Sequence, residues 1–153
     1  YCQFPQFRRR PMRLTNFSDF SLRLLMYAAA NQDRLITIEE TSKIYGISRA
    51  HLMKIANTLT RTGYLKAVRG RSGGLALAKP PKKIRLGDVL RATEPDFHLV
   101  ECFGNDNQCI ITRACRLHGI LHEALGAFSA TLDRYTLADL MLRPKDFGMR
   151  PAA

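Results

Sequence analysis

Between Thr37 and Gly63 the chain reads TIEETSKIYGISRAHLMKIANTLTRTG, and no other segment restricts the possible folds as tightly. Thr37 and Glu40 have capping-box spacing: the hydroxyl can accept from the Glu40 amide while the carboxylate reaches back. A short helix ending near Tyr45 is predicted. Gly46 supplies a tight turn, and Ser48 is suited to cap a following helix. In that helix Leu52, Ile55, Ala56 and Leu59 fall at i, i+3, i+4 and i+7, one apolar face. Arg49, His51, Lys54, Asn57 and Arg61 are left for the outside, and Gly63 ends the helix. Two helices joined by a glycine turn, the second with a polar and basic outer face, have the pattern of a helix-turn-helix. An ordinary pair of packed helices would show the same periodicity.

The next stretch separates those two readings. Strand-like runs, Tyr64 to Val68 and Leu75 to Ala78, flank a turn built from Gly70, Gly73 and Gly74, with Arg69 and Arg71 at its tip. Glycines let backbone approach a partner closely, and arginine can enter a minor groove or meet phosphates. No G-K-[ST] follows to open a helix, so this is not a nucleotide phosphate loop. The expected fold is mainly α with a small β wing: a winged helix-turn-helix followed by a long C-terminal dimerisation helix.

Charge divides the same way. Residues 12–83 carry 13 Lys or Arg against 4 acids, whereas 84–153 carry 8 against 9. A basic front half joined to a near-neutral back half points to a nucleic-acid-binding unit attached to something else. Basic patches also bind membranes and acidic proteins, so charge alone does not choose. The longest apolar run, Leu24 to Ala30, is too short for a bilayer, and no apolar stretch follows the RRR at Arg8 to Arg10. The expected compartment is the cytoplasm, where thiols stay reduced.

Outside the central segment, a first helix is predicted from about Thr15 to Ala30, with Phe17, Phe20, Leu24 and Ala28 as its buried stripe. A short helix over Ile84 to Thr93, with Val89 and Leu90 inward, stops at Pro95. Further on, Leu117, Leu121, Ala124, Phe128, Thr131 and Tyr135 step as a heptad seam, the natural contact for a homodimer that reads two half-sites. Packing against its own domain is the other explanation. The residues from Pro144 onward are expected to be loose.

Between the short helix and the seam lie Cys102, Cys109 and Cys115 in a C-x6-C-x5-C array. A reduced compartment disfavours disulfides among them. Zinc usually takes four firm ligands, often with a C-x2–4-C knuckle that this array lacks. Iron–sulfur clusters accept wider loops and prefer thiolates. A metal-free thiol sensor also fits. Asp19, in the first turn of the first helix, is suited to the helix dipole and to pairing with Arg23. No nucleophile–base set or dinucleotide fingerprint is visible, so the chain is not expected to be an enzyme.

Three stretches, LTNFSDFSLRLLMY, YGISRAHLMKIANTLTRTGYLKAVRGRSGGLALAKP and LVECFGNDNQCIITRACRL, together resemble the Rrf2 family of bacterial regulators. Within it the chain is most similar to nitric-oxide-sensing repressors. The resemblance spans about Met12 to Leu140 and leaves residues 1–11, Cys2 among them, as an extension. It implies a DNA-binding region over 12–83, an iron–sulfur loop and dimerisation helix over 84–143, and a tail over 144–153. It implies a repressor bound as a homodimer to a two-fold symmetric site in double-stranded DNA; from the outer face of the second helix and the wing tip, the expected contacts are Ser48, Arg49, His51, Lys54, Asn57, Arg69 and Arg71. It favours an iron–sulfur cluster on Cys102, Cys109 and Cys115, [4Fe–4S] over [2Fe–2S], with Asp19 of the partner subunit as fourth ligand. Glu101, His98 and His118 are alternatives close in sequence. Nitric oxide attacking the cluster would release the DNA; other family members sense iron supply or redox state with the same architecture.

Overall fold

The computed structural model describes residues 13–148. Five α-helices and one two-stranded sheet follow in the order α1 (Asn16–Ala30), α2 (Ile38–Tyr45), α3 (Arg49–Arg61), β1 (Leu65–Val68), β2 (Gly74–Leu77), α4 (Leu86–Thr93) and α5 (Arg116–Asp133). Among the described residues no helix is long and apolar enough to cross a membrane.

Side-chain caps start the first three helices. The Thr15, Thr37 and Ser48 hydroxyls accept from the Ser18, Glu40 and His51 amides respectively, each cap contributing about 0.5–2 kcal/mol. The expected return bond from Glu40 to the Thr37 amide is not made. Glu40 instead accepts from the Tyr27 hydroxyl at 2.9 Å and from Arg34 at 2.7 Å, a charged partner that outcompetes a backbone amide. Gly46 closes α2 at φ 65°, a left-handed conformation in which a side chain would be strained.

One core holds these elements together. Leu24, Leu25 and Tyr27 of α1 pack with Ile55 and Leu59 of α3, Leu65 and Leu75 of the sheet, and Val89 of α4. Each such aliphatic side chain contributes about 1.5–3 kcal/mol by leaving water. The strands pair antiparallel, Leu65 opposite Leu77 and Val68 opposite Gly74. Ile36, just before α2, exchanges both backbone hydrogen bonds with Leu75, at 2.9 and 2.8 Å. A Cβ at Gly74 would press into the Ile36 carbonyl, and one at Gly73 would overlap the Val68 carbonyl oxygen. The wing turn therefore needs glycine at both positions.

Two findings depart from expectation at the edges. Ile84 is fully buried but precedes α4, which begins at Leu86; its carbonyl accepts from the Leu137 amide at 2.8 Å instead of opening the helix. Residues 144–148 return to α1 and α2 rather than hanging loose, and the rest of the predicted tail, 149–153, lies outside the described residues. Pro144–Phe147 forms a short 3-10 turn, and the Phe147 ring sits edge-on to Tyr27 at 5.2 Å and to Tyr45 at 6.2 Å.

Candidate functional site

Helix α3 shows two faces. Leu52, Ile55, Ala56 and Leu59 are buried, as their spacing requires. Ser48, Arg49, Lys54, Asn57 and Arg61 are exposed. Arg49 pairs with Glu39 at 2.9 Å, which steadies the first turn of α3 against α2. His51 departs from the outward placement its position predicts. It is half-buried, edge-on to Phe20 at 5.3 Å and tilted against Phe17 at 6.2 Å, because an aromatic pair on α1 offers the ring a better environment than water. Arg69 and Arg71 stand exposed beside Gly70, whose φ of 114° turns the tip of the wing.

A second constellation gathers around the cysteines. Cys102 lies in a 3-10 turn (Glu101–Phe103), Cys109 in the loop, and Cys115 at the N-cap of α5. All three are free thiols, and all three line one pocket of about 220 Å³. Val100, Ile111, Leu117 and Leu121 give it apolar walls, and Glu101 and His118 add polar groups. Ile111 and Leu121 were not among the predicted site residues; the apolar pair Ile110–Ile111 inside an otherwise polar loop was the available signal.

Local hydrogen bonds shape this loop. The Glu101 carboxylate accepts from the Gln108 amide at 2.8 Å, so it already braces the chain. The Asn107 side-chain oxygen accepts from the Cys109 amide at 2.9 Å, and the Cys109 carbonyl from the Thr112 hydroxyl at 2.8 Å. Phe103 packs between His118 at 5.3 Å and His122 at 4.7 Å, anchoring Cys102 to the first turns of α5. His98 is exposed in the preceding loop and does not line the pocket.

Asp19 is not among the pocket's lining residues either. In the first turn of α1 it pairs with Arg23 at 2.8 Å, and the Arg23 guanidinium lies 5.5 Å from the centre of the Phe20 ring. Among the described residues, no group of three or more His, Cys, Asp or Glu side chains stands in metal-binding arrangement. The three thiols share a pocket without closing on a common point. Cys2 lies outside the described residues.

Contacts join the two constellations within one chain. Glu94, the residue after α4, accepts from the Thr15 amide at 2.9 Å and from its hydroxyl at 3.2 Å. The buried Ser18 and Thr93 hydroxyls lie 2.8 Å apart. The loop that leads to Cys102 therefore starts from a residue bolted to the first turn of α1. At the other end of the pocket α5 has no buried side chain. Leu117, Ile120 and Phe128 of α5 are large and exposed, as is Tyr135 just beyond its end, whereas Leu121 is half-buried toward the cysteines. The far end of α5 is tied to α4 by Arg91, which bridges Asp88 at 2.7 Å and Asp133 at 2.6 Å.

Comparison with known proteins agrees with this architecture. A family model described as "Rrf2: Iron-dependent Transcriptional regulator" matches residues 14–143. The HTH-type transcriptional regulator NsrR of Bacillus licheniformis is 45% identical over 133 residues, covering 86% of this chain and 93% of its own. NsrR of Bacillus subtilis is 45% identical over 137 residues, covering 88% and 94%. Among solved structures, a transcriptional regulator from Listeria innocua matches with a TM-score of 0.68 at 26% identity, covering 84% of this chain and 85% of its own. The global cysteine regulator CymR of Bacillus subtilis shares the fold, with a TM-score of 0.65 at 22% identity over 85% and 96%. These relatives are named as regulators, not enzymes. With a winged helix-turn-helix, a basic outer helix and a family match over nearly all its described residues, the chain belongs to the Rrf2 family of transcriptional regulators.

Proposed function

We propose that this regulator is a repressor that binds a two-fold symmetric operator as a homodimer and releases it in response to nitric oxide. One observation carries the reading: Cys102, Cys109 and Cys115, spread over a loop and a helix start, all line one apolar-walled pocket. Three soft donors in one apolar-walled pocket, without a zinc-type knuckle, fit an iron–sulfur cluster, and the resemblance to nitric-oxide-sensing repressors favours [4Fe–4S] over [2Fe–2S]. When bound, the cluster supplies iron that nitric oxide can attack.

The chain's own residues then divide the work. The exposed face of α3, with Ser48, Arg49, Lys54 and Asn57, enters the major groove, while Arg69 and Arg71 of the wing reach toward the minor groove. His51 acts from beneath, seating α3 on α1. The outward seam of α5 pairs two copies, its Leu117, Ile120 and Phe128 leaving water on contact, with Tyr135 just beyond the helix end. Asp19 of the partner subunit is the proposed fourth ligand. Glu101 is occupied in bracing its loop, which leaves His118 as the competing donor in the pocket. Asp19 holds Arg23, Arg23 covers Phe20, and Phe20 meets His51 on α3. A change at Asp19 therefore has a short side-chain route to the DNA-reading helix.

Anaerobically purified protein should contain iron and acid-labile sulfide, and replacing Cys102, Cys109 or Cys115 by Ala should remove both. Colourless protein with stoichiometric zinc would overturn the cluster. Asp19→Ala should keep iron on three cysteines while DNA affinity no longer follows nitric oxide; an unchanged response transfers the fourth position to His118. The family description as iron-dependent supports a second reading, sensing of iron supply. Titrating DNA affinity with nitric oxide, an iron chelator and peroxide separates the two.

A further inference from the structure

Met53 is an anomaly on α3. It lies on the outer face and is 55% exposed, so more than half of this apolar residue stays in water. Its surroundings are not apolar. Arg49, Lys54 and Arg61 are all exposed cations on the same helix. Ala50 before it and Asn57 after it are exposed and uncharged, so positions 50, 53 and 57 form a neutral strip at helical spacing, bordered by cations.

A duplex presents the matching pattern. Its phosphates carry charge and attract the bordering cations, whereas the base edges on the floor of the major groove are uncharged. The C5-methyl of thymine is the apolar group displayed there. Recognition helices contact bases mainly through their N-terminal residues. With His51 withdrawn against Phe17 and Phe20, Ala50 and Met53 are the uncharged outward side chains in the first two turns of α3. Ala50 is small enough to admit the groove floor, and Met53 is long, unbranched and polarizable, suited to cover a methyl group.

We propose that Met53 reads the C5-methyl group of a thymine in each half-site, making it a sequence-specificity residue of this chain. The proposal rests on α3 being the DNA-reading helix. It commits to duplex DNA as the occupant of this face, on the strength of the bordering charge.

The test begins by selecting tight sites from a random duplex library with the full-length protein, prepared anaerobically. Each thymine of a selected half-site is then replaced in turn by deoxyuridine, which removes the methyl and nothing else. One position per half-site should lose affinity by about fourfold, the worth of one buried methyl-sized group. Met53→Ala should abolish that dependence at that position alone, and Met53→Leu should retain it. Because Met53 is exposed, both variants should unfold at the parent's urea midpoint. If no sequence is selected, the regulator reading itself fails. If sites are selected but Lys54→Ala and Asn57→Ala bind as the parent does, α3 is not the reading helix. If those variants weaken binding while the deoxyuridine scan is flat, or Met53→Ala keeps the parent's dependence, the assignment of Met53 is wrong.

Discussion

The hydrogen bond between Ser18 and Thr93 permits a sharp energetic test. Ser18 is fully buried and Thr93 is 7% exposed. Thr93 directs its own hydroxyl to the Val89 carbonyl at 2.9 Å, so Ser18 is the donor across the 2.8 Å contact. Thr93→Val keeps the shape and removes the acceptor, leaving the Ser18 hydroxyl buried with its main partner gone. That should cost about 1–3 kcal/mol. Ser18→Ala removes the donor but leaves Thr93 bonded within α4, and should cost less, about 0.5–1.5 kcal/mol. In the double variant no hydroxyl is orphaned, so its loss should fall short of the sum by about 1 kcal/mol or more. Urea unfolding followed by far-ultraviolet circular dichroism measures all four proteins; chain concentration must be held constant, since subunit pairing shifts apparent stability. Additivity within about 0.3–0.5 kcal/mol would refute the reasoning.

Three other outcomes are expected. Arg71→Ala should weaken DNA binding and reduce the slope of log affinity against log salt by about 0.9, the signature of one lost phosphate contact; an unchanged slope removes Arg71 from the interface. Phe147→Ala should lower stability by about 1–3 kcal/mol in urea through loss of its apolar burial and its edge contacts with Tyr27 and Tyr45, and a neutral result would mean the returning segment is not held. The hydrogen bond from Arg91 holds the Asp88 carboxyl below its ordinary value, helped by Arg85. The stability this contributes is complete above the unfolded carboxyl value of about 3.9 and is lost as pH falls through the lower folded value. Asp88→Asn should flatten the decline below about pH 4, although exposure of the pair keeps the effect small; an unaltered acid limb would contradict this.

What was legible in the sequence was local. Thr37 and Ser48 cap their helices because cap, amide and turn lie within three residues of one another; Thr15, read as the first residue of α1, is its cap instead. The buried face of α3 followed from spacing for the same reason, and the wing glycines announced a turn that other residues could not make. The unread features depend on partners far along the chain. Glu40 gave up its return bond for Tyr27, thirteen positions earlier. His51 turned inward because Phe17 and Phe20 happen to face α3. Phe147 found its aromatic neighbours more than 100 residues upstream. The stripe on α5 was legible, but the half-burial of Leu121 against the cysteine pocket depends on the tertiary position of that pocket. The cysteine spacing disclosed three donors but not their common pocket, which an irregular loop builds from Asn107, Glu101 and Thr112.

The paired hydrogen bonds between Ile36 and Leu75 have a consequence for motion. They staple the wing to the segment that enters α2, and the Gly74 backbone nests against that segment with no room for a side chain. Hinging the wing alone would break both bonds and open the core at Leu75, a cost of about 3–6 kcal/mol. The amide protons of Ile36 and Leu75 should therefore be protected from deuterium exchange with one common opening free energy. Wing and helix-turn-helix travel as a single rigid tool, and any signal that alters grip on DNA must re-aim that tool as a whole.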